Sequence, residues 1–139
     1  MSEFYVLDTS AIFTFTDQEE GVDEVEKLLD SARAKTCRLE ICAISLMEVY
    51  YITLMEQGED EATRLVGLVK SWPVTLVYPD EKMLLQGGKL KAQYRLSLAD
   101  ALIAALAKLH NAKLVHKDPE LIALANEVAL LTLPFKKKK

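Results

Sequence analysis

Short apolar runs alternate with longer amphipathic segments along this chain of 139 residues, and that alternation limits the fold more than any other feature. Runs rich in apolar and β-branched residues predict five strands, at about 4–7, 38–44, 74–77, 113–116 and 128–133. Apolar residues at helical spacing predict helices between them, at about 19–34, 45–57, 59–72, 80–94, 97–110 and 118–126, with a kink or break at Gly87-Gly88. Strands joined by helical crossovers form a mostly parallel sheet covered on both faces. The sequence therefore predicts an α/β protein.

The composition fits a single compact domain. Half of the residues are hydrophobic and 27% are charged, with only 5 glycines and 4 prolines. Those proportions exclude a disordered, collagen-like or disulfide-scaffold protein. We predict one domain over residues 1–135, followed by a basic tail of four lysines at 136–139.

The sequence predicts neither a signal peptide nor a membrane span. Its longest apolar run, 101–107, is far shorter than the roughly 20 residues that a bilayer requires. Cys37 and Cys42 lie five positions apart, so on one extended segment their side chains point to opposite faces and do not bridge. Two buried thiols in a reducing compartment are the simplest interpretation, and we expect a cytoplasmic protein.

The net charge of −4, from 17 basic and 21 acidic residues, argues against a broad basic face that binds nucleic acid by counterion release. The tail holds four of the lysines, so the rest of the chain is more acidic still. A polyanionic ligand would therefore need a local attraction, which a cation held by carboxylates would supply.

Four acids stand where ligands bind in an open parallel sheet, which is at the carboxyl ends of the strands. Each also has a simpler interpretation as part of a helix cap. Asp8 and Asp118 are placed as N-cap residues, the latter before Pro119. Glu48 and Asp100 each follow a serine by three residues, in capping boxes that begin at Ser45 and Ser97.

Two features favour a shared metal site over four separate caps. Asp100 is the one charged residue between 96 and 107, in a helix that is apolar almost all round, and a buried carboxylate is costly unless a cation or several donors compensate it. In a parallel sheet all four acids project toward the same edge, where a divalent cation removes their mutual repulsion. Oxygen ligands suit Mg²⁺ or Mn²⁺ rather than Zn²⁺. With only two histidines and no nucleophile-elbow, Walker or zinc motif, no rival catalytic set is present.

Four segments in chain order resemble the signature of the PIN-domain ribonucleases. They are Val-Leu-Asp-Thr-Ser-Ala at 6–11, Ser-Leu-Met-Glu-Val at 45–49, Ser-Leu-Ala-Asp-Ala at 97–101 and Leu-Val-His-Lys-Asp at 114–118. Each segment alone is weak, but together they are fairly specific, and the resemblance covers nearly the whole chain. The order, spacing and length look most like VapC-type toxins of prokaryotic toxin–antitoxin pairs.

The resemblance implies a three-layer α/β/α sandwich with an Mg²⁺- or Mn²⁺-dependent endoribonuclease site. By this analogy the family's acidic quartet corresponds to Asp8, Glu48, Asp100 and Asp118. Thr9 and Ser10 would support the metal shell, and the metal would activate the water that attacks an RNA phosphodiester. His116 stands where the family commonly has Thr or Ser, so the fourth segment, which ends at Asp118, departs from the usual pattern. Glu120 stands where a further acid often follows.

The same resemblance implies three partners: an RNA substrate, a cognate antitoxin that blocks the site, and a second copy of the chain in a homodimer. The candidate substrate-binding residues are Lys89, Lys91, Arg95 and Lys117, with a solvated helix face as the alternative. Tyr50 and Tyr51 are candidates for stacking on a base or for core packing. An apolar segment rich enough for a protein interface contains Met47, Tyr50, Tyr51, Leu54 and Met55.

Two other classes of function stay open at this stage. One is a metal-dependent DNA nuclease or phosphatase on a similar sheet. The other is a non-catalytic PIN-like interaction domain, against which the presence of all four acids counts. Acid-dependent metal binding would separate that second class from the enzymes.

Overall fold

The computed structural model describes residues 3–135, and the predicted lysine tail lies outside the described residues. Its core is a five-stranded parallel sheet in the order β3-β2-β1-β4-β5. The strands are β1 (Glu3–Leu7), β2 (Cys37–Cys42), β3 (Thr75–Val77), β4 (Lys113–His116) and β5 (Leu130–Thr132). All five predicted strands are present, β4 with the predicted ends and the other four with an end that differs by one or two residues. The predicted α/β class with a parallel sheet is confirmed.

Six α-helices and one 3₁₀ helix connect the strands in the described part of the chain. They are α1 (Thr9–Thr16), α2 (Val22–Arg33), α3 (Ile44–Gln57), α4 (Glu59–Ser71), α5 (Glu81–Gln93), α6 (Leu98–Leu109) and a 3₁₀ helix at Pro119–Leu124. Helix α1 was not predicted from the sequence. The helix predicted at 118–126 is present in the tighter 3₁₀ form, at Pro119–Leu124. Helix α5 continues through Gly87 and Gly88, so the predicted break is absent.

Helices cover both faces of the sheet, which gives three layers. Alternate residues of β1 point to opposite sides, because side chains alternate along a strand: Leu7 packs with α1, α2, α3 and α4, and Val6 packs with α5 and α6. Ile103, Ala104 and Leu106 of α6 are fully buried. Because these residues anchor α6 in the core, the first turn of the helix, which carries Asp100, is held against the carboxyl edge of the sheet.

Glu40 is an acid buried within the fold, away from that edge. It lies in β2 and is 1% exposed, and its carboxylate contacts His110 Nδ1 at 2.5 Å and Arg38 Nε at 3.2 Å. His110 is the C-cap of α6. Its ring ties the end of α6 to the sheet.

No helix among residues 3–135 is long and apolar enough to cross a bilayer.

Candidate active site

The four predicted acids meet at the carboxyl edge of the sheet. Asp8 follows β1 and Asp118 follows β4, and these strands pair at the centre of the sheet. Glu48 lies in the second turn of α3, after β2, and Asp100 lies in the first turn of α6. Asp100 interacts electrostatically with each of the other three. The strand order reverses direction at β1, which is the place where open α/β sheets bind ligands.

One carboxylate oxygen of Asp8 is hydrogen-bonded, and the other has no hydrogen-bond partner in the part of the chain that the structure describes. Its Oδ2 accepts hydrogen bonds from the backbone N–H of Ser10 at 3.0 Å and from the Ser10 hydroxyl at 2.5 Å. That hydroxyl accepts in turn from the backbone N–H of Lys117 at 2.8 Å, which ties β1 to the end of β4. Asp8 Oδ1 is buried and has no hydrogen-bond partner among the described residues. Asp8 is thus the N-cap of α1, as one interpretation predicted, and it still offers a ligand oxygen.

Glu48 is positioned by Thr9 and does not cap its helix. The Thr9 hydroxyl lies 2.6 Å from Glu48 Oε1 and 2.9 Å from the Ser45 hydroxyl. A hydroxyl has one proton to donate, so when Thr9 donates to Glu48 it accepts from Ser45. Helix α3 begins at Ile44, and Ser45 is fully buried inside it. The capping-box interpretation at Ser45 and Glu48 is therefore wrong, and Ser45 is a positioning residue that the sequence analysis recognised only as a cap.

Asp100 lies beside Asp118 and Glu120. One carboxylate oxygen from each of the three lies within 4.8 Å of the others. Ser97 caps α6 by accepting from the backbone N–H of Asp100 at 3.1 Å. Asp118 caps the 3₁₀ helix by accepting from the backbone N–H of Glu120 at 2.9 Å. The Asp100 side chain interacts with that of Asp118, so its carboxylate is directed toward Asp118 rather than back to its own helix end.

Burial and neighbouring negative charges raise the pKa of two of these acids, Asp8 and Asp100. Burial raises the pKa of Asp8 to about 6, against the opposing effect of its bonds from Ser10. Burial also raises the pKa of Asp100 to about 8, and the negative charges of Asp8 and Asp118 add to that rise. Each shift means that the ionised form is disfavoured in the folded chain. A bound cation would stabilise the ionised carboxylates and so offset the free-energy cost of burying them.

The donor set fits a hard divalent metal ion. Every candidate ligand is a carboxylate oxygen, as Mg²⁺ and Mn²⁺ prefer, and the unpartnered Asp8 Oδ1 is the kind of buried acceptor that a cation satisfies. The acidic cluster therefore offers a metal-binding site, to which Glu120 contributes a further carboxylate.

His116 takes no part in that ligand set. It is fully buried, and its Nδ1 accepts from the backbone N–H of Asp118 at 3.0 Å. An accepting Nδ1 carries no proton, so Nε2 bears the hydrogen and lies 2.9 Å from the Thr132 hydroxyl. Burial lowers the pKa of His116, which agrees with a neutral ring. The ring orients the peptide that carries Asp118.

The predicted substrate-binding residues do not form one patch. Lys91 lines an apolar groove beside Glu48, whereas Lys89 lines a separate polar cavity with Lys108. The Lys117 ammonium is buried and donates to the Glu20 carbonyl at 2.5 Å. Arg95 is exposed before α6. Substrate binding by these four residues stays a prediction.

A Thr9→Val variant is expected to weaken divalent-metal binding by roughly 10- to 100-fold, the usual cost of losing a residue that orients a ligand. Valine keeps the shape of threonine but removes the hydroxyl that joins Glu48 to Ser45. Titration calorimetry with Mn²⁺ measures the change. Thr14→Val is the matched control, because Thr14 lies in the same helix and its hydroxyl bonds only the Ser10 carbonyl. Equal affinities in the two variants would contradict the positioning role of Thr9.

Fold and sequence together define the class of this protein. The model of the PIN domain family matches residues 5–127. The chain belongs to the PIN domain family. A search of curated protein sequences found no match.

Several solved structures share the fold at low sequence identity. VapBC2 of Rickettsia felis, bound to a DNA fragment from its promoter, matches with a TM-score of 0.73 and 19% identity over 94% of this chain and 99% of that one. DNA-bound VapBC of Salmonella typhimurium matches with a TM-score of 0.73 and 20% identity over 95% and 98%. VapC20 of Mycobacterium tuberculosis, described as a sarcin-ricin loop cleaving toxin, matches with a TM-score of 0.69 and 14% identity over 89% and 96%. The three-layer fold predicted from the resemblance is thus confirmed.

Proposed function

We propose that this chain is a divalent-metal-dependent endoribonuclease whose catalytic residues are Asp8, Glu48, Asp100 and Asp118. The observation that carries the proposal is the convergence of these carboxylates at the carboxyl edge of the sheet, with one buried oxygen of Asp8 left unpartnered. Carboxyls such as Asp8 and Asp100, whose pKa is raised by burial and by neighbouring negative charge, make a poor structural element and a good cation site.

The roles of the acids follow from their surroundings. Asp8, Asp100 and Asp118 would hold Mg²⁺ or Mn²⁺, with Glu48 completing the set. When bound, the ion supplies a Lewis acid for the scissile phosphate and makes a water molecule more acidic. Ser10 fixes Asp8, and Thr9 fixes Glu48, so both hydroxyls support the site through the acids that they bond.

RNA is favoured as the substrate by the family and by one structural neighbour. VapC20 is described as a toxin that cleaves the sarcin-ricin loop, and a further structural neighbour, from Klebsiella pneumoniae, is described as a toxin–antitoxin complex. We extend these properties to the present chain, as the toxin of such a pair. Its partners would then be RNA, an antitoxin protein and a second copy of itself, in the cytoplasm. The whole chain to residue 135 would act as one nuclease domain, with the lysine tail after it.

Two alternatives make different predictions. A non-catalytic interaction domain would bind no metal through these acids. A DNA nuclease or phosphatase would bind metal but prefer another phosphoester.

The wild-type chain, purified free of any inhibitory partner, is expected to cut a mixed RNA pool in Mg²⁺ or Mn²⁺ and to stop in a chelator. Single-stranded DNA of matched sequence and a small phosphomonoester serve as competing substrates. Faster cutting of DNA would move the assignment to a DNA nuclease. Absence of both cleavage and calorimetric metal binding would leave the interaction domain.

A further inference from the structure

An apolar groove lies between three helices directly beside the acidic cluster. The face of α3 that carries Met47 and Tyr51 forms one wall, α5 forms the other, and the first turns of α6 contribute Leu98. The groove has a volume of about 440 Å³, which is within the range of pockets that bind small ligands. Met47 is 59% exposed and Leu98 is 71% exposed, so both offer their side chains to a ligand.

The groove is continuous with the acidic cluster. Glu48 belongs to both, and Ala99 and Ala101 line the groove on either side of Asp100 in the sequence. The part of a ligand that occupies the groove therefore lies next to the part that is bound at the acids. If that is the scissile phosphate, the adjoining part of the substrate is a nucleoside.

Charge favours this side of the cluster for a nucleic acid. The groove contains Lys91, whose ammonium donates to the Leu96 carbonyl at 2.7 Å and retains two further N–H donors. The cavity on the other side of the cluster has about the same volume, but it is lined by three carboxylates, of Asp17, Glu19 and Glu56, and by one ammonium, of Lys117, which already pairs with Glu19. The groove has one ammonium, of Lys91, and one carboxylate, of Glu48. A phosphate is therefore repelled less in the groove than in that cavity.

We propose that the groove binds an unpaired base of the RNA, stacked against Tyr51 and Met47 and covered by Leu98, with Lys91 close to the backbone. This inference rests on the proposed ribonuclease function and specifies how the substrate is held. Flat apolar walls with few polar groups suit stacking, which tolerates any base. Because the faces of a base within a duplex are already stacked on its neighbours, the groove selects single-stranded RNA over a duplex.

Gly88 allows the groove to be filled without harming the fold. It lies in α5 on the groove, has no positive φ, and a Cβ placed on it meets nothing within 4 Å. Leucine is a better helix former than glycine, so a Gly88→Leu variant keeps α5 and places its side chain in the groove. Gly67→Leu is the matched control, because Gly67 is an exposed glycine inside α4 with the same free space.

The test is steady-state cleavage of a short single-stranded RNA in Mg²⁺, with affinity measured separately by fluorescence anisotropy in Ca²⁺. Gly88→Leu is expected to raise KM and weaken binding by roughly 5- to 100-fold, the range of a lost base stack, while kcat changes little. Tyr51→Ala should act in the same direction, and Tyr50→Ala, which lies off the groove, should not. Gly67→Leu should match the wild type.

The outcomes separate this inference from the function on which it rests. A wild-type chain that neither cuts nor binds RNA overturns both. A wild type that cuts RNA, beside a Gly88→Leu variant with unchanged KM and affinity, overturns the groove assignment alone. A Gly88→Leu variant that keeps its KM but changes mass by light scattering would assign the groove to a second copy of the chain instead.

Discussion

An Asp100→Asn variant is expected to lose metal-dependent RNA cleavage by roughly 100-fold or more, a loss typical of removing one preorganised charged or polar group at a reacting phosphate or carbonyl. Asparagine has nearly the same shape but no charge, so the variant removes a metal ligand and leaves the packing of α6 in place. Ser97 caps that helix and does not depend on the Asp100 side chain. Cleavage of the mixed RNA pool, with wild type and variant in parallel, measures the effect.

The folded state of the variant is the important control. Removing a carboxylate from a repelling cluster should leave the melting temperature equal or higher in the absence of metal, because the ionised form of Asp100 is disfavoured there. Asp80→Asn is the matched substitution: Asp80 is the N-cap of α5 and lies outside the cluster, and asparagine caps as well as aspartate. An Asp100→Asn protein that cuts RNA at the wild-type rate would remove the proposed catalytic assignment.

Much of this arrangement could be predicted from sequence because parallel strands place their carboxyl ends at one edge. Once β1 and β4 were recognised, Asp8 and Asp118 had to lie near each other, and the buried character of α6 marked Asp100 as unusual. The N-cap interpretations of Asp8 and Asp118 are confirmed together with their convergence. A cap uses part of a carboxylate, so capping and the offer of a free ligand oxygen are compatible.

Contacts between distant residues were less predictable. Thr9 bonds Ser45 and Glu48, which follow it by more than 30 residues, and local spacing alone favoured a capping box at that place. Helix α1 was missed because its sequence, Thr-Ser-Ala-Ile-Phe-Thr-Phe-Thr, is rich in β-branched and aromatic residues that favour strands. Burial of Ala11 and Ile12 against the sheet overrides that preference.

The placement of Lys89 and Lys91 in two separate cavities could have been predicted from the sequence. Lys89 and Lys91 are two positions apart on one helix, and residues at that spacing do not share a face. The structure places them in separate cavities accordingly. Adjacency in sequence had suggested one patch, whereas helical geometry leaves Lys91 beside the acids.

The metal-free protein is expected to lose stability as the pH rises from about 4 to about 8. Asp8 and Asp100 have raised pKa values in the folded chain, about 6 and about 8, against about 3.9 in an unfolded one. Between those values the folded state binds more protons than the unfolded state, so stability falls with increasing pH. Asp8 alone accounts for on the order of 3 kcal/mol. Denaturant melts in a chelator, across that pH range, measure the slope.

An Asp8→Asn, Asp100→Asn double variant provides the baseline, because it keeps every other titrating group. Its stability should vary less with pH than that of the wild type, and the difference between the two curves isolates the cluster. Parallel curves would show that these carboxyls titrate normally and that their crowding has no energetic consequence.

Addition of Mg²⁺ or Mn²⁺ should restore the stability that the metal-free protein loses as the pH rises. The gain in stability should be larger at pH 8 than at pH 5. A metal ion binds the ionised carboxylates, so protons compete with it at the lower pH. Ligand that binds only the folded state stabilises it in proportion to the logarithm of its concentration over its Kd. The rise in melting temperature on adding metal should therefore grow with pH in the wild type and be small throughout in the double variant. A rise of equal size at both pH values, or in both proteins, would place the bound metal somewhere other than at these acids.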